Sequence, residues 1–223
     1  MTGTEEDTSM TRVLRGLEHG AASVRLRAAL AAGTAPDPGY VGRLVERCAA
    51  EPEPYVRETL TWALTRHAPS LTLPRLIGEL RSGRARARSQ ALHTLSKIGD
   101  RRAWPAITRT LLTDGDDEVA RCAWRAAVAL VPDDEAPGLA DVLATQLGRG
   151  GREMRLSLSR ALIALGEEVV VPVLRTAARD TDPRVREHAE GTEALLRDPD
   201  AAHGFAIGEA RRIVALGPTG QEE

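Results

Sequence analysis

The chain has 223 residues and a formal charge of −2; 42% of residues are apolar but only 3% aromatic. A core limited to Ala, Leu and Val suits closely packed helices, and sustained strand patterns are absent, so an all-α chain is expected. No apolar run approaches the roughly 20 residues needed to cross a bilayer, and the polar, acidic start Met1–Ser9 lacks a basic-then-apolar leader pattern, so a cytoplasmic protein is expected.

Along the chain, residues 1–8 are expected to be a disordered acidic tail and residues 9–216 a single domain. Two sets of apolar anchors then alternate. The first set, Val13, Leu44, Leu76, Ile107, Leu139 and Leu174, marks A helices. The second, Val24, Val56, Ala87, Val119, Met154 and Val185, marks B helices near 22–32, 54–67, 85–98, 117–130, 152–165 and 183–197. Each of the first five B anchors precedes the next A anchor by 20 residues, and the B anchors recur at intervals of 32, 31, 32, 35 and 31. Periods of this size signify stacked supersecondary units. Pro74, Pro105, Pro137 and Pro172 stand two residues before an A anchor and are expected in first helical turns, where a missing N–H costs nothing. Connections such as Ala35–Gly39, Gly99–Arg102 and Val131–Glu135 hold the usual stop and start residues. The 35-residue interval carries its excess at Gly148–Arg152, expected as a flexible insertion. Asp200–Leu216 is expected as a capping helix and residues 217–223 as a disordered tail.

Counted from each B anchor, position +4 is always apolar: Ala28, Leu60, Ala91, Ala123, Leu158 and Ala189. With most +7, +8 and +11 residues it forms one core stripe. Cys48 and Cys122 fall in such helical stretches and are expected as buried free thiols, with no Cys–His metal spacing and no cofactor. Position +1 is Arg25, Arg57, Arg88, Arg155 and Arg186 in five of six units. These flank the core, and they are expected to bond turn carbonyls or turn carboxylates such as Glu53, Asp116 and Asp182.

The apolar-Pro-x-Leu start and the Asp-x-x-Val-Arg-x-x-Ala turn resemble HEAT repeats of the bilin-lyase-like type. "DPRVREHA" (Asp182–Ala189) carries the pattern most fully and "EPYVRETL" (Glu53–Leu60) next. The resemblance spans about residues 8–197 and implies an all-α, right-handed α-solenoid of about six HEAT-like hairpins plus the capping helix. It also implies a groove lined by B helices.

The row opposite the core holds positions +2, +6 and +9, about 140–180° from the stripe. There Glu58, Trp62, Ser89, His93, Arg121, Arg125 and Arg160 are the expected binding residues, with Trp62, His93, Arg125 and Arg160 as a continuous ridge. Trp and Arg dominate many interfaces, and this mixed lining suits a polypeptide partner. Trp104 and Trp124 are expected to pack between units.

Charge is unevenly placed: residues 75–109 hold 9 basic and 2 acidic side chains, whereas residues 110–223 hold 13 and 21. Arg84, Arg86 and Arg88 are therefore candidate anion contacts. They support a second reading, a nucleic-acid binder or a relative of the HEAT-like DNA glycosylases, although 29 arginines against the single Lys97 also fit codon bias. A third reading, a bilin-lyase-like small-molecule enzyme, rests on the resemblance alone. The His-Glu pairs by which HEAT-type deoxyhypusine hydroxylases hold iron do not occur in this chain. The first expectation is a non-catalytic scaffold for a protein or peptide, with no membrane partner.

Overall fold

The computed structural model describes residues 2–198, with side chains from residue 9 onward. The capping segment expected at 200–216 and the tail at 217–223 lie outside the described residues. Among the described residues the regular elements are helices, with no strand. They divide into two compact units, residues 1–133 and 134–223.

The first unit holds four helical hairpins. They are α1 (Thr2–Leu17) with α2 (Ala22–Thr34), α3 (Val41–Ala50) with α4 (Pro54–Thr65), and α5 (Pro69–Glu79) with α6 (Ala85–Ile98). In the fourth, residues 101–112, ending in α7 (Arg109–Leu112), pair with α8 (Asp117–Leu130). The second unit holds α9 (Ala136–Ala144) with α10 (Arg152–Ile163) and α11 (Glu167–Ala177) with α12 (Pro183–Arg197). Residues 2–8, expected as a disordered tail, are instead the first turns of α1.

Stacking follows the repeat. In the first unit each B helix packs on the next, α2 on α4, α4 on α6 and α6 on α8; in the second, α9 packs on α11 and α10 on α12. All six +4 residues are buried, as are the A anchors from Leu44 to Leu174. A narrow, alanine-rich stripe of this kind lets helix axes approach closely.

Two of the +1 arginines, Arg25 and Arg88, act as seam clamps. Arg25 Nη1 donates to the carbonyls of His19 and Gly20 in its own turn. Its Nε and Nη2 donate to both oxygens of Glu51, at 2.7 and 2.6 Å, in the next hairpin. Arg88 repeats this, with Nη1 on the Ser82 carbonyl and Nε and Nη2 on Asp114. Arg57, Arg155 and Arg186 bond turn carbonyls. The partner carboxylates are thus Glu51 and Asp114, each 26 residues beyond its arginine, and not the expected Glu53 and Asp116. Asp116 and Asp182 instead cap helices, accepting from Glu118 and Val119 N–H and from Arg184 N–H. Glu51 is fully buried. Burial raises its carboxyl, but hydrogen bonds from Arg25 and the Glu53 N–H, with the charges of Arg47 and Arg25, prevail and hold it below the ordinary value.

Proline placement departs from expectation. Pro74 and Pro172 lie inside α5 and α11, because both helices begin five residues before them. Pro137 does sit in the first turn of α9. In the fourth hairpin Pro105 falls within a 3₁₀ stretch, Arg101–Ala106, and the chain extends at Thr108 before the single turn of α7. This A helix is therefore interrupted. The carbonyl at its end, that of Leu112, accepts the indole N–H of Trp124 at 2.8 Å. Trp124 is fully buried within its own hairpin, and Trp104 is half-buried.

Candidate functional site

The outward edge of the B helices in residues 1–133 carries most of the expected site residues of α4, α6 and α8. Helical spacing puts +6 there because the +4 stripe is committed to the core. Leu30 and Trp62, at +6 of α2 and α4, are 44% and 41% exposed. With Tyr55, they are the large apolar side chains that remain exposed among the described residues. Trp62 is not loose. A Cβ placed on Gly33 of α2 would stand 2.8 Å from the indole Cε3, so the ring lies flat over that glycine. One face of the indole is packed and the other is open.

Further along, Glu58 of α4 is exposed, and its Oε1 lies 3.3 Å from His93 Nε2 on α6. Burial, with the charges of Arg125 and Lys97, holds the His93 imidazole below its ordinary pKa despite Glu58. On α8, Glu118 lies between two arginines, 3.6 Å from Arg121 and 3.6 Å from Arg125. Arg125 also donates to Cys122 Sγ at 3.2 Å. Exposed pairs of this length contribute little to folding, so their charges stay available to a partner.

Not every expected residue belongs to this edge. Ser89 is buried and donates to the Arg86 carbonyl, because +2 of α6 turns toward the seam. Arg160 is exposed on α10, in the second unit. Arg84 is exposed. Arg86 reaches the Glu51 carbonyl at 3.4 Å, and Arg88 is spent on Asp114, so the three anion candidates do not form one free cluster. Trp124 is fully buried, which removes an exposed aromatic residue that the glycosylase reading needed. Sequence reasoning missed Gly33, a residue with no side chain to draw notice, and Glu118, which its own helix turn joins to Arg121 and Arg125. Neither cysteine is available as a nucleophile: burial pushes Cys48 up to about 11 and Cys122 up to about 12. Among the described residues no group of three His, Cys, Asp or Glu converges as a metal site.

The hairpins from α3 to α8 repeat one core stripe, one clamp position and one turn. Residues 43–130 match the family of HEAT repeats. No curated protein matches the sequence. Among solved structures, an engineered protein is similar at 20% identity, covering 83% of this chain and 95% of its own, with a TM-score of 0.48. The complex of CpcE and CpcF of phycocyanin lyase from Nostoc sp. PCC7120 is similar at 20% identity, with 87% and 79% coverage and a TM-score of 0.47. A designed armadillo repeat protein is similar at 14% identity, with 83% and 98% coverage and a TM-score of 0.45. The matched stretch holds most of the expected site: Glu58, Trp62, His93, Arg121 and Arg125 all lie between residues 43 and 130. No described helix is long and apolar enough to cross a membrane.

Proposed function

We propose that this protein is a non-catalytic scaffold that grips a polypeptide along the exposed B-helix edge of residues 1–133. The observation that carries this reading is Trp62, half exposed yet packed flat on Gly33. A partly immobilised tryptophan offers a large contact area at small entropic cost. Leu30 supplies a second apolar contact, while Glu58, His93, Arg121 and Arg125 supply charges of both signs. Alternating signs suit a peptide backbone with mixed side chains and oppose a uniformly anionic phosphate chain.

The test is selection of peptides from a display library on the full chain, followed by affinity measurement on Trp62→Ala. Loss of the order of tenfold or more, about 1.4 kcal/mol or above, is expected for an anchor residue. Peptides that bind Trp62→Ala as tightly as the parent would place the binding surface elsewhere.

A further inference from the structure

The interruption of the fourth A helix opens a cleft of about 380 Å³ between the end of α5 and residues 105–111. This volume falls at the small end of ligand cavities, about 300–1,000 Å³. We propose that this cleft binds a small carboxylate with an apolar body. The inference is independent of the scaffold reading.

The walls set the body of the ligand. Ile77, Leu80, Pro105, Ala106 and Leu111 line the cleft, and nothing in those side chains would recognise a bare inorganic ion. The polar groups set its head. Asp114 lines the cleft but is held by Arg88 at 3.0 Å, so its charge is already balanced and does not call for a cation. Arg81 also lines the cleft; it is exposed, and its guanidinium makes no hydrogen bond or ion pair among the described residues. A planar guanidinium fork matches a carboxylate in two parallel hydrogen bonds. Thr108 and Thr110 add hydroxyls at the same rim. The surroundings favour an anion as well, since residues 75–109 hold 9 basic and 2 acidic side chains. Of the two arginines that line the cleft, Arg88 is spent on Asp114, which leaves Arg81 without an ion-pair partner among the described residues.

The sequence signal was the excess of positive charge in this segment. Its target was hidden because nothing in the residue pattern shows that the helix breaks after Pro105.

The experiment is calorimetric titration of the full chain with 4-phenylbutyrate, its primary amide, and a short peptide ending in a free phenylalanine carboxylate. Millimolar or tighter binding of at least one carboxylate is expected, with the amide weaker by roughly tenfold, the loss anticipated for a charge-assisted pair. Arg81→Ala should weaken the carboxylate to a similar degree, Ala106→Trp should abolish binding by filling the cleft, and Trp62→Ala should leave it unchanged. Tighter binding of the peptide than of phenylbutyrate would identify a chain terminus as the source, and the reverse order a free acid; both support the site. Equal binding of acid and amide, indifference to Arg81→Ala, or no carboxylate bound at about 10 mM would overturn it.

Discussion

His188 shows how one side chain can fix a loop. Its Nδ1 accepts the Gly148 N–H at 3.0 Å, so the proton sits on Nε2, which faces the Arg155 carbonyl at 3.0 Å and Ser159 Oγ at 3.1 Å. Ser159 in turn meets Thr192 at 2.7 Å. The Gly148–Arg152 insertion, expected to be flexible, is thereby tied to α10 and α12. Gly148 also has φ of +80°, and a Cβ there would press within 3.2 Å of the α12 backbone, so glycine is needed twice over. Burial lowers the His188 pKa to about 4. A base whose folded pKa lies below its unfolded value of about 6.5 stabilises the fold above that value and loses the contribution as pH falls toward 4. The whole window spans about 3 kcal/mol, and about 2 kcal/mol should be gone by pH 5. Urea unfolding at pH 7 and pH 5 measures it. His188→Gln should be less stable at pH 7 and show a flatter dependence across this range; an unchanged slope would mean another group titrates.

Between elements, the B-helix seams carry the fold, and one of them carries the site. Glycine near the end of a helix is ordinarily improved by alanine, by up to about 1 kcal/mol. Gly33→Ala should do the opposite, because the new methyl would occupy the Trp62 ring. A loss of about 1 kcal/mol is expected, together with a red shift of tryptophan fluorescence as the indole swings into water. A gain in stability with unchanged emission would show that the ring does not rest on α2. At this scale the sequence was most legible. The B helices begin within a residue of their expected starts, since the +4 stripe and turn residues specify them together. The A helices were read less well. Pro74 and Pro172 suggested late starts, but both helices accommodate proline mid-length. The clamp arginines were legible as a class, while their partners Glu51 and Asp114 were not. The contact is made 26 residues away and depends on how neighbouring turns meet.

At the scale of the molecule, the described chain is two helical units built from one kind of hairpin, and the candidate surface belongs to the first. Uneven charge was visible in the sequence, but its meaning was not. Part of the basic charge is taken up by internal pairs, Arg88 with Asp114 and Arg102 with Asp100. The exposed edge was partly legible, because helical geometry alone puts Trp62 and Arg125 outward. It failed at Ser89, where +2 of α6 turns into the seam. The three tryptophans now provide separate reporters: Trp62 half exposed, Trp104 half-buried, and Trp124 buried with its N–H on the Leu112 carbonyl. Indole N–H cross-peaks in ¹⁵N-resolved spectra, followed while a selected peptide is titrated into the full chain, test the binding account most directly. The account predicts that the Trp62 signal moves with saturation while that of Trp124 stays in place. A stationary Trp62 signal alongside shifts elsewhere in the spectrum would contradict it.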